Sequence, residues 1–245
     1  MISLGNKPIS FVYHGDELVY PNPIKRNLLL RYELKGINNN DTDKDILKDL
    51  SGNNSDSNLF GFNYTEDSGY TGEGLKFDGV DDYIKSKNPI RRSSKDITLE
   101  LVFNIYDNKI NWQYLLFLAN SSDRIGLIFH YGQLDLHINN STGLFHEYYP
   151  FPESNIGLQH VIVTLSGGEI LKRSVFINGI NVNGDTVNSE TDNKNISLMG
   201  LDLEIIRALN DRNNTLFKTV RIYDRELTED EIKHNFELEK ERWKL

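Results

Sequence analysis

An all-β fold, an antiparallel two-sheet sandwich with a short N-terminal β-hairpin and one C-terminal α-helix, is the architecture this sequence predicts. Three observations carry that reading. From Leu28 onward the chain breaks into short runs of Val, Ile, Leu, Phe and Tyr separated by clusters of Asn, Asp, Ser and Gly, the pattern of strands joined by turns. Within Gln133-Leu134-Asp135-Leu136-His137-Ile138-Asn139, apolar and polar residues alternate strictly, as a strand with one buried face requires. After Thr228 the apolar period lengthens to that of a helix.

The elements follow in order. Residues 1–24 form a separate unit: the apolar stretches Ile2-Ser3-Leu4, Ile9 to Tyr13 and Glu17 to Tyr20 surround the turn His14-Gly15-Asp16, and Pro21-Asn22-Pro23 closes the segment. A ribbon this short cannot bury enough surface to stand alone, so it is expected to dock on the sandwich or on another chain. The main domain, 25–245, opens with Leu28 to Leu34, then the polar loop 36–45 and the turn sequence Asp49-Leu50-Ser51-Gly52-Asn53. Asp78-Gly79, flanked by Leu75, Phe77, Val80, Tyr83 and Ile84, is a two-residue hairpin signal.

Strands are expected at 96–106, 113–119, 124–131, 133–139 and 144–149. His160 to Leu165 and Ser174 to Ile177 continue the sheets, Asn178-Gly179 turns the chain into Ile180-Asn181-Val182, and late strands fall at 203–208 and 219–223. Solvated loops are expected at 188–195 and 210–214. The helix, 228–243, has a capping box in Thr228 and Glu231, a staple in Leu227 and Ile232, and Ile232, Phe236 and Trp243 on one face.

Composition excludes several functions. There is no cysteine, so neither a disulfide framework nor a thiolate metal site is available. A formal charge of -9 opposes nucleic-acid binding, which relies on a basic surface to displace phosphate counterions. The start lacks a basic segment followed by an apolar run, and no stretch is apolar enough to cross a bilayer; neither a signal peptide nor a transmembrane segment is expected.

The stretch Gly74 to Ile84 resembles the motif near the start of laminin-G-like, concanavalin A-like jelly-roll domains, in which an apolar strand meets Phe-Asp-Gly and then an Asp-Tyr-apolar strand. Three later stretches are similar to that family in the same order: Asp96 to Phe103, His160 to Val182, and Val220 to Thr228. The resemblance implies a jelly roll. It leaves function open, because this sandwich hosts lectins, glycan hydrolases and adhesion modules alike.

Hydrolysis on such a scaffold needs two carboxylates across the scissile bond, closely spaced on one strand in the family's hydrolases, and no strand here carries that pattern. Glu229-Asp230-Glu231 opens the helix and serves its dipole. Glu100 and Asp135 stand singly on their strands. No catalytic residue is therefore expected, and no cofactor is required. Asp78, Asp81 and Asp82 gather carboxylates in one turn that either holds a structural calcium ion, as the resemblance implies, or is explained by turn geometry alone. His130, His137 and His146 fall on neighbouring strands, as polar surface positions or as a convergent group.

Sugar binding combines aromatic faces with a few directed polar groups. Trp112, Tyr114, His130, Tyr131, Asp135, His137, Tyr148 and Tyr149 supply both on adjoining strands, and alternation does not decide which of Tyr148 and Tyr149 points outward. A second resemblance, carried by Ile2 to Lys7, Val12 to Pro21 and the closing Thr228 to Lys233, is to minor structural proteins of phages of Gram-positive bacteria. It implies a non-enzymatic virion protein of the tail, baseplate or capsid, made in the host cytoplasm. Residues 1–24 would then contact other virion proteins and the sandwich a host-surface glycan, with homo-oligomers also open. The alternatives are a decoration module that binds only protein and, third, a glycan hydrolase.

Overall fold

Alternation decides the layers. In Leu28–Glu33 every second residue is buried, whereas Ile97–Ile105 and Thr215–Tyr223 are buried almost throughout because both of their faces are covered. The computed structural model describes residues 2–4, 7–9, 12–14, 17–106, 112–120, 123–140, 143–151, 156–167, 172–189, 202–205 and 215–245.

The chain begins with β1 (Ile2–Leu4), β2 (Lys7–Ile9), β3 (Val12–His14) and β4 (Glu17–Tyr20). Next come β5 (Leu28–Glu33), β6 (Ile46–Leu47), β7 (Ser57–Phe60), β8 (Gly69–Tyr70), β9 (Leu75–Lys76) and β10 (Tyr83–Ser86). The middle holds β11 (Ile97–Ile105), β12 (Gln113–Ala119), β13 (Arg124–His130), β14 (Gln133–Asn140), β15 (Gly143–Pro150) and β16 (Gly157–Ser166). The remainder is β17 (Lys172–Ile177), β18 (Ile180–Val182), β19 (Asp185–Ser189), β20 (Asp202–Ile205), β21 (Thr215–Tyr223) and α1 (Glu229–Trp243).

Two antiparallel sheets form the sandwich. The larger has the order β19-β15-β14-β13-β12-β20-β10-β7-β6; the smaller runs β18-β17-β16-β11-β21-β9-β8, with β5 also paired to β21. Leu134, Leu136 and Ile138 of the first face Leu99, Leu101, Phe103, Val161 and Val163 of the second in one core cluster. Burying each such side chain contributes roughly 1.5–3 kcal/mol, so the packing carries the stability that a chain without cysteine cannot draw from cross-links.

Several turns form as their residues dictate. Asn178 and Gly179 both take positive φ, 52° and 79°, and join β17 to β18 with Ile177 opposite Ile180. Asp49 accepts hydrogen bonds from the backbone N–H groups of Arg31, Ser51 and Ser55, tying the turn that follows β6 to β5. Thr228 and Glu231 form the capping box. The expected loop 210–214 and most of 188–195 lie outside the described residues, as does the end of the late strand expected at 203–208.

Two expectations are corrected. Asp78-Gly79 does not close a hairpin: β9 pairs with β8 and β21 in the smaller sheet, whereas β10 pairs with β7 and β20 in the larger. Leu75 and Ile84 are both buried, but they point into the core from opposite layers, so the segment between them must arch from one sheet to the other. In the N-terminal segment the strands expected on either side of the turn at His14 do pair, β3 with β4, but residues 1–24 hold a second ribbon, β1 with β2, where a single hairpin was expected.

The helix lies on a polar bed that periodicity concealed. Asn235, Glu239 and Arg242 are buried on its inner face beside Ile232, Leu238 and Trp243, while Phe236 is only half-buried and stacks on His160. Arg221, fully buried on β21, donates to Glu100 at 2.8 Å, to Glu33 at 2.8 Å and to Glu239. Glu100 also meets His160, Tyr223 and Asn235. Burial alone would raise the Glu100 carboxyl, but the Arg221 guanidinium and His160 hold it down at about 2. Glu100 is thus a structural member of a buried ionic network and not an isolated strand carboxylate.

Candidate functional site

The outer face of the larger sheet collects the aromatic and polar residues. On β14, Leu134, Leu136 and Ile138 point inward and Asp135 and His137 outward, as alternation requires. Across β15 the rule sends His146 and Tyr148 to the same outer face, opposite His137 and Asp135 respectively. Tyr149, by contrast, is buried against the core and donates its hydroxyl to Glu147, which also pairs with Arg173 of the other sheet. Tyr149 is therefore removed from the expected sugar-binding set: it follows Tyr148 by one residue and must take the opposite face.

A β-bulge shapes the neighbouring strand. Tyr114 and Phe117 are three residues apart and would face opposite ways on a regular strand. The register against β13 shifts between Tyr114 and Leu116, so Leu115 and Leu116 are both buried and both rings emerge outside, with centroids 5.1 Å apart. Phe117 lies over Gly126, where a Cβ would stand 2.6 Å from the ring, and reaches His137 at 5.9 Å. A glycine is needed there because the ring occupies the side-chain position.

The rings form a connected surface. Trp112, at φ 56°, stacks on His130 with centroids 4.0 Å apart, and His130 lies 5.5 Å from Tyr148 and 4.6 Å from Tyr131. His146 links the group, 6.3 Å from Trp112, 6.4 Å from Tyr148 and 4.6 Å from His137. Tyr131 occupies the turn after β13 at 64% exposure. The three histidines therefore converge. Phe117, His146 and the buried Ile128 belong to this face although they stand outside the expected sugar-binding set; His146 was legible from its two-residue spacing to Tyr148, whereas Phe117 was hidden by the bulge.

Asp135 is on the expected face but beneath it, with no solvent exposure. His146 covers it, Nδ1 3.0 Å from one carboxylate oxygen and 3.2 Å from the other. Burial pushes the Asp135 carboxyl up to about 6, against the opposing pull of His146. His137 is lowered to about 4, first by burial and then by the charges of His146 and Arg124. Among the described residues neither ring nitrogen of His137 has a hydrogen-bond partner. Asp135 is thus a support that orients His146 more than a direct ligand contact.

Asp78, Asp81 and Asp82 do come together, each offering an oxygen within 4.8 Å of the others. Asp82 is buried and accepts from the Asp78 N–H at 2.8 Å and the Ser68 hydroxyl at 3.0 Å. Burial and the charges of Asp78 and Asp81 nevertheless raise it to about 6, so the arch gathers negative charge that its own hydrogen bonds do not offset. That donor set fits a hard cation, which all three would hold.

Elsewhere a cleft of about 630 Å³ is lined by Arg31, Glu33, Lys35, Lys44, Tyr70 and Arg242 among others. Its cations are engaged by the fold: Arg31 and Arg242 pair with Glu33, and Lys44 lies over the Tyr64 ring. Among the described residues no helix is long and apolar enough to cross a membrane.

Comparison with known proteins bears on this architecture. No curated protein sequence matches the chain. Trypanosoma rangeli sialidase superposes with a TM-score of 0.61 at 16% identity, over 88% of this chain and 33% of the sialidase chain. The receptor binding domain of botulinum neurotoxin mosaic serotype C/D gives 0.63 at 16%, over 87% and 51%, and the binding domain of serotype D gives 0.62 at 16%, over 87% and 52%. The chain thus spans a third to about half of the length of these structures, and the likeness is one of fold. Residues 78–233 match the family model described as the concanavalin A-like lectin/glucanases superfamily. With its two antiparallel sheets and that match across most of its length, the chain belongs to the concanavalin A-like lectin/glucanases superfamily.

Proposed function

We propose that this protein is a non-enzymatic glycan-binding module that recognises carbohydrate on the outer face of its larger sheet. The observation that carries the reading is the Trp112 ring stacked on His130, with His146 and Tyr148 alongside and a buried carboxylate fixing His146. Such a surface offers ring faces to the apolar side of a sugar and oriented nitrogen and hydroxyl groups to its hydroxyls. Two of the structures on which this chain superposes are a receptor binding domain and a sialidase, which supports glycan recognition on this scaffold.

A hydrolytic role lacks support. Glycoside hydrolysis takes two carboxylates facing one bond, and among the described side chains on this face Asp135 has no second carboxylate beside it and is already occupied by His146. In the fuller reading, the ribbons of residues 1–24 attach the module to a larger assembly, a phage virion, and the sandwich presents its ring-bearing face to the host surface. A calcium ion held by Asp78, Asp81 and Asp82 would stiffen the arch between the sheets.

The test is a glycan array probed with the intact chain and with Trp112→Ala. Binding by the parent, reduced about tenfold or more in the variant, is the expected result, since aromatic anchors dominate contact energies. Equal binding by both, or binding only to protein partners, would overturn the proposal.

A further inference from the structure

A second aromatic element shares this face. Phe60 of β7 and Tyr83 of β10 are directly opposed across the strand pair and stack with centroids 4.7 Å apart and planes 12° from parallel. Their neighbours Leu59 and Ile84 are in the core, so both rings point outward, and Phe60 is 38% exposed.

The register places this pair in line with the first site. Lys85, Glu204 and Phe117 are paired in one row across β10, β20 and β12. One two-residue step along that row's strands brings Tyr83 on β10 and, through the bulge, Tyr114 on β12 to the same level. Tyr114 is opposite Ile128, Ile128 opposite Asp135, and Asp135 opposite Tyr148. Phe60, Tyr83, Tyr114 and Tyr148 therefore occupy a single line perpendicular to the strands. It crosses six inter-strand spacings, about 29 Å in all, with about 10 Å between Tyr83 and Tyr114.

A line of ring faces with polar side chains beside it suits one occupant. A globular protein partner would bury a broad patch with an apolar centre, whereas toward β7 this face narrows to the Tyr83 and Phe60 rings, flanked by the polar Lys85 and Asn58 on the same outer face. The line of rings is also continuous with the Trp112 and His130 surface, whose proposed ligand is carbohydrate. We infer that the face binds a linear polysaccharide laid across the strands, with Tyr148 and Tyr114 forming one end of its track and Tyr83 and Phe60 a distal subsite. The β-bulge at Leu115 and Leu116 is what keeps Tyr114 on the track. This inference rests on the glycan-binding reading above.

The test uses arrays of linear glucan, xylan, galactan and N-acetylglucosamine oligosaccharides, each printed from disaccharide to octasaccharide. Affinity for the recognised series is expected to rise with length. The Phe60→Ala/Tyr83→Ala double variant should lose about tenfold on the long members, the scale of one lost aromatic contact, and nothing on the disaccharide, while Tyr148→Ala weakens both. Tyr83→Phe, which keeps the ring, should bind long members like the parent. Binding that does not depend on length, or a double variant equal to the parent on every length, would overturn the track while leaving the glycan site standing. Absence of binding to every spot would overturn the glycan reading itself, and the track with it.

Discussion

The His146 imidazole lies over the buried Asp135 carboxylate, with Nδ1 3.0 Å from its nearer oxygen. The neighbour of that pair, His137, contacts the His146 ring at 4.6 Å and, among the described residues, has no hydrogen-bond partner for either ring nitrogen. Protonation of Asp135 and of His137 should therefore act on stability in opposite senses.

The Asp135 carboxyl is raised to about 6 in the folded protein, so between about pH 4 and 6 the folded state binds more protons at this residue and stability falls as pH rises. His137 is lowered to about 4, so over about pH 4 to 6.5 the unfolded state binds more protons there and stability rises with pH. The two slopes oppose each other in the parent. Asp135→Asn should expose the rising slope and His137→Phe the falling one, each by up to about 1.4 kcal/mol per pH unit. Urea denaturation across pH 4 to 7 checks this; variants with parallel profiles would contradict the assigned burial.

Removing the arginine under the helix should be far more damaging. Arg221→Ala leaves Glu100, Glu239 and Glu33 without their shared cation, and loss of one partner from a buried ionic network costs about 3–5 kcal/mol. Chemical denaturation should show this loss, and a change below about 1 kcal/mol would mean that the network is solvated.

How much of this was legible in the sequence depends on the range of the interaction. Alternation placed Asp135 and His137 on the outer face, and Asn178-Gly179 and Thr228 with Glu231 set their own turn and cap through local geometry. Asp78-Gly79 misled because the same dipeptide suits a hairpin and an arch, and only distant pairing, Leu75 with Phe217 and Tyr83 with Phe60, distinguishes them. The site was harder still. Tyr114 and Phe117 share a face through a bulge that no local pattern announces, and the burial of Asp135 depends on His146 from the next strand. Arg221 reads as an exposed strand residue until the helix is laid over it.

The bulge and its glycine give a further prediction. In Gly126→Ala the new Cβ would press on the Phe117 ring, which stands 2.6 Å from that position. A destabilisation of about 1–3 kcal/mol is expected from this overpacking, with the ring displaced toward His137. Thermal melting and aromatic NMR shifts of His137 check both parts; unchanged shifts would mean that Phe117 moves freely off the glycine.

For the arch, calcium should raise the melting temperature and chelator reverse it. Stabilisation by RT ln(1 + [L]/Kd) amounts to about 2.7 kcal/mol at a hundredfold excess over Kd. Asp82→Asn should abolish the calcium response and, without calcium, stabilise the chain by relieving the charge that raises Asp82 to about 6. A melting temperature indifferent to calcium in the parent would remove the ion from the account.

The chain has two tryptophans, Trp112 on the outer face and Trp243 buried on the inner face of the helix with Nε1 bonded to Glu239. In Trp243→Phe, emission reports on Trp112 alone. Titrating that variant with the oligosaccharide that binds best should produce a saturable change in Trp112 emission with the same midpoint as binding measured by calorimetry. Calorimetric binding with no change in Trp112 emission would contradict a ligand site on this face.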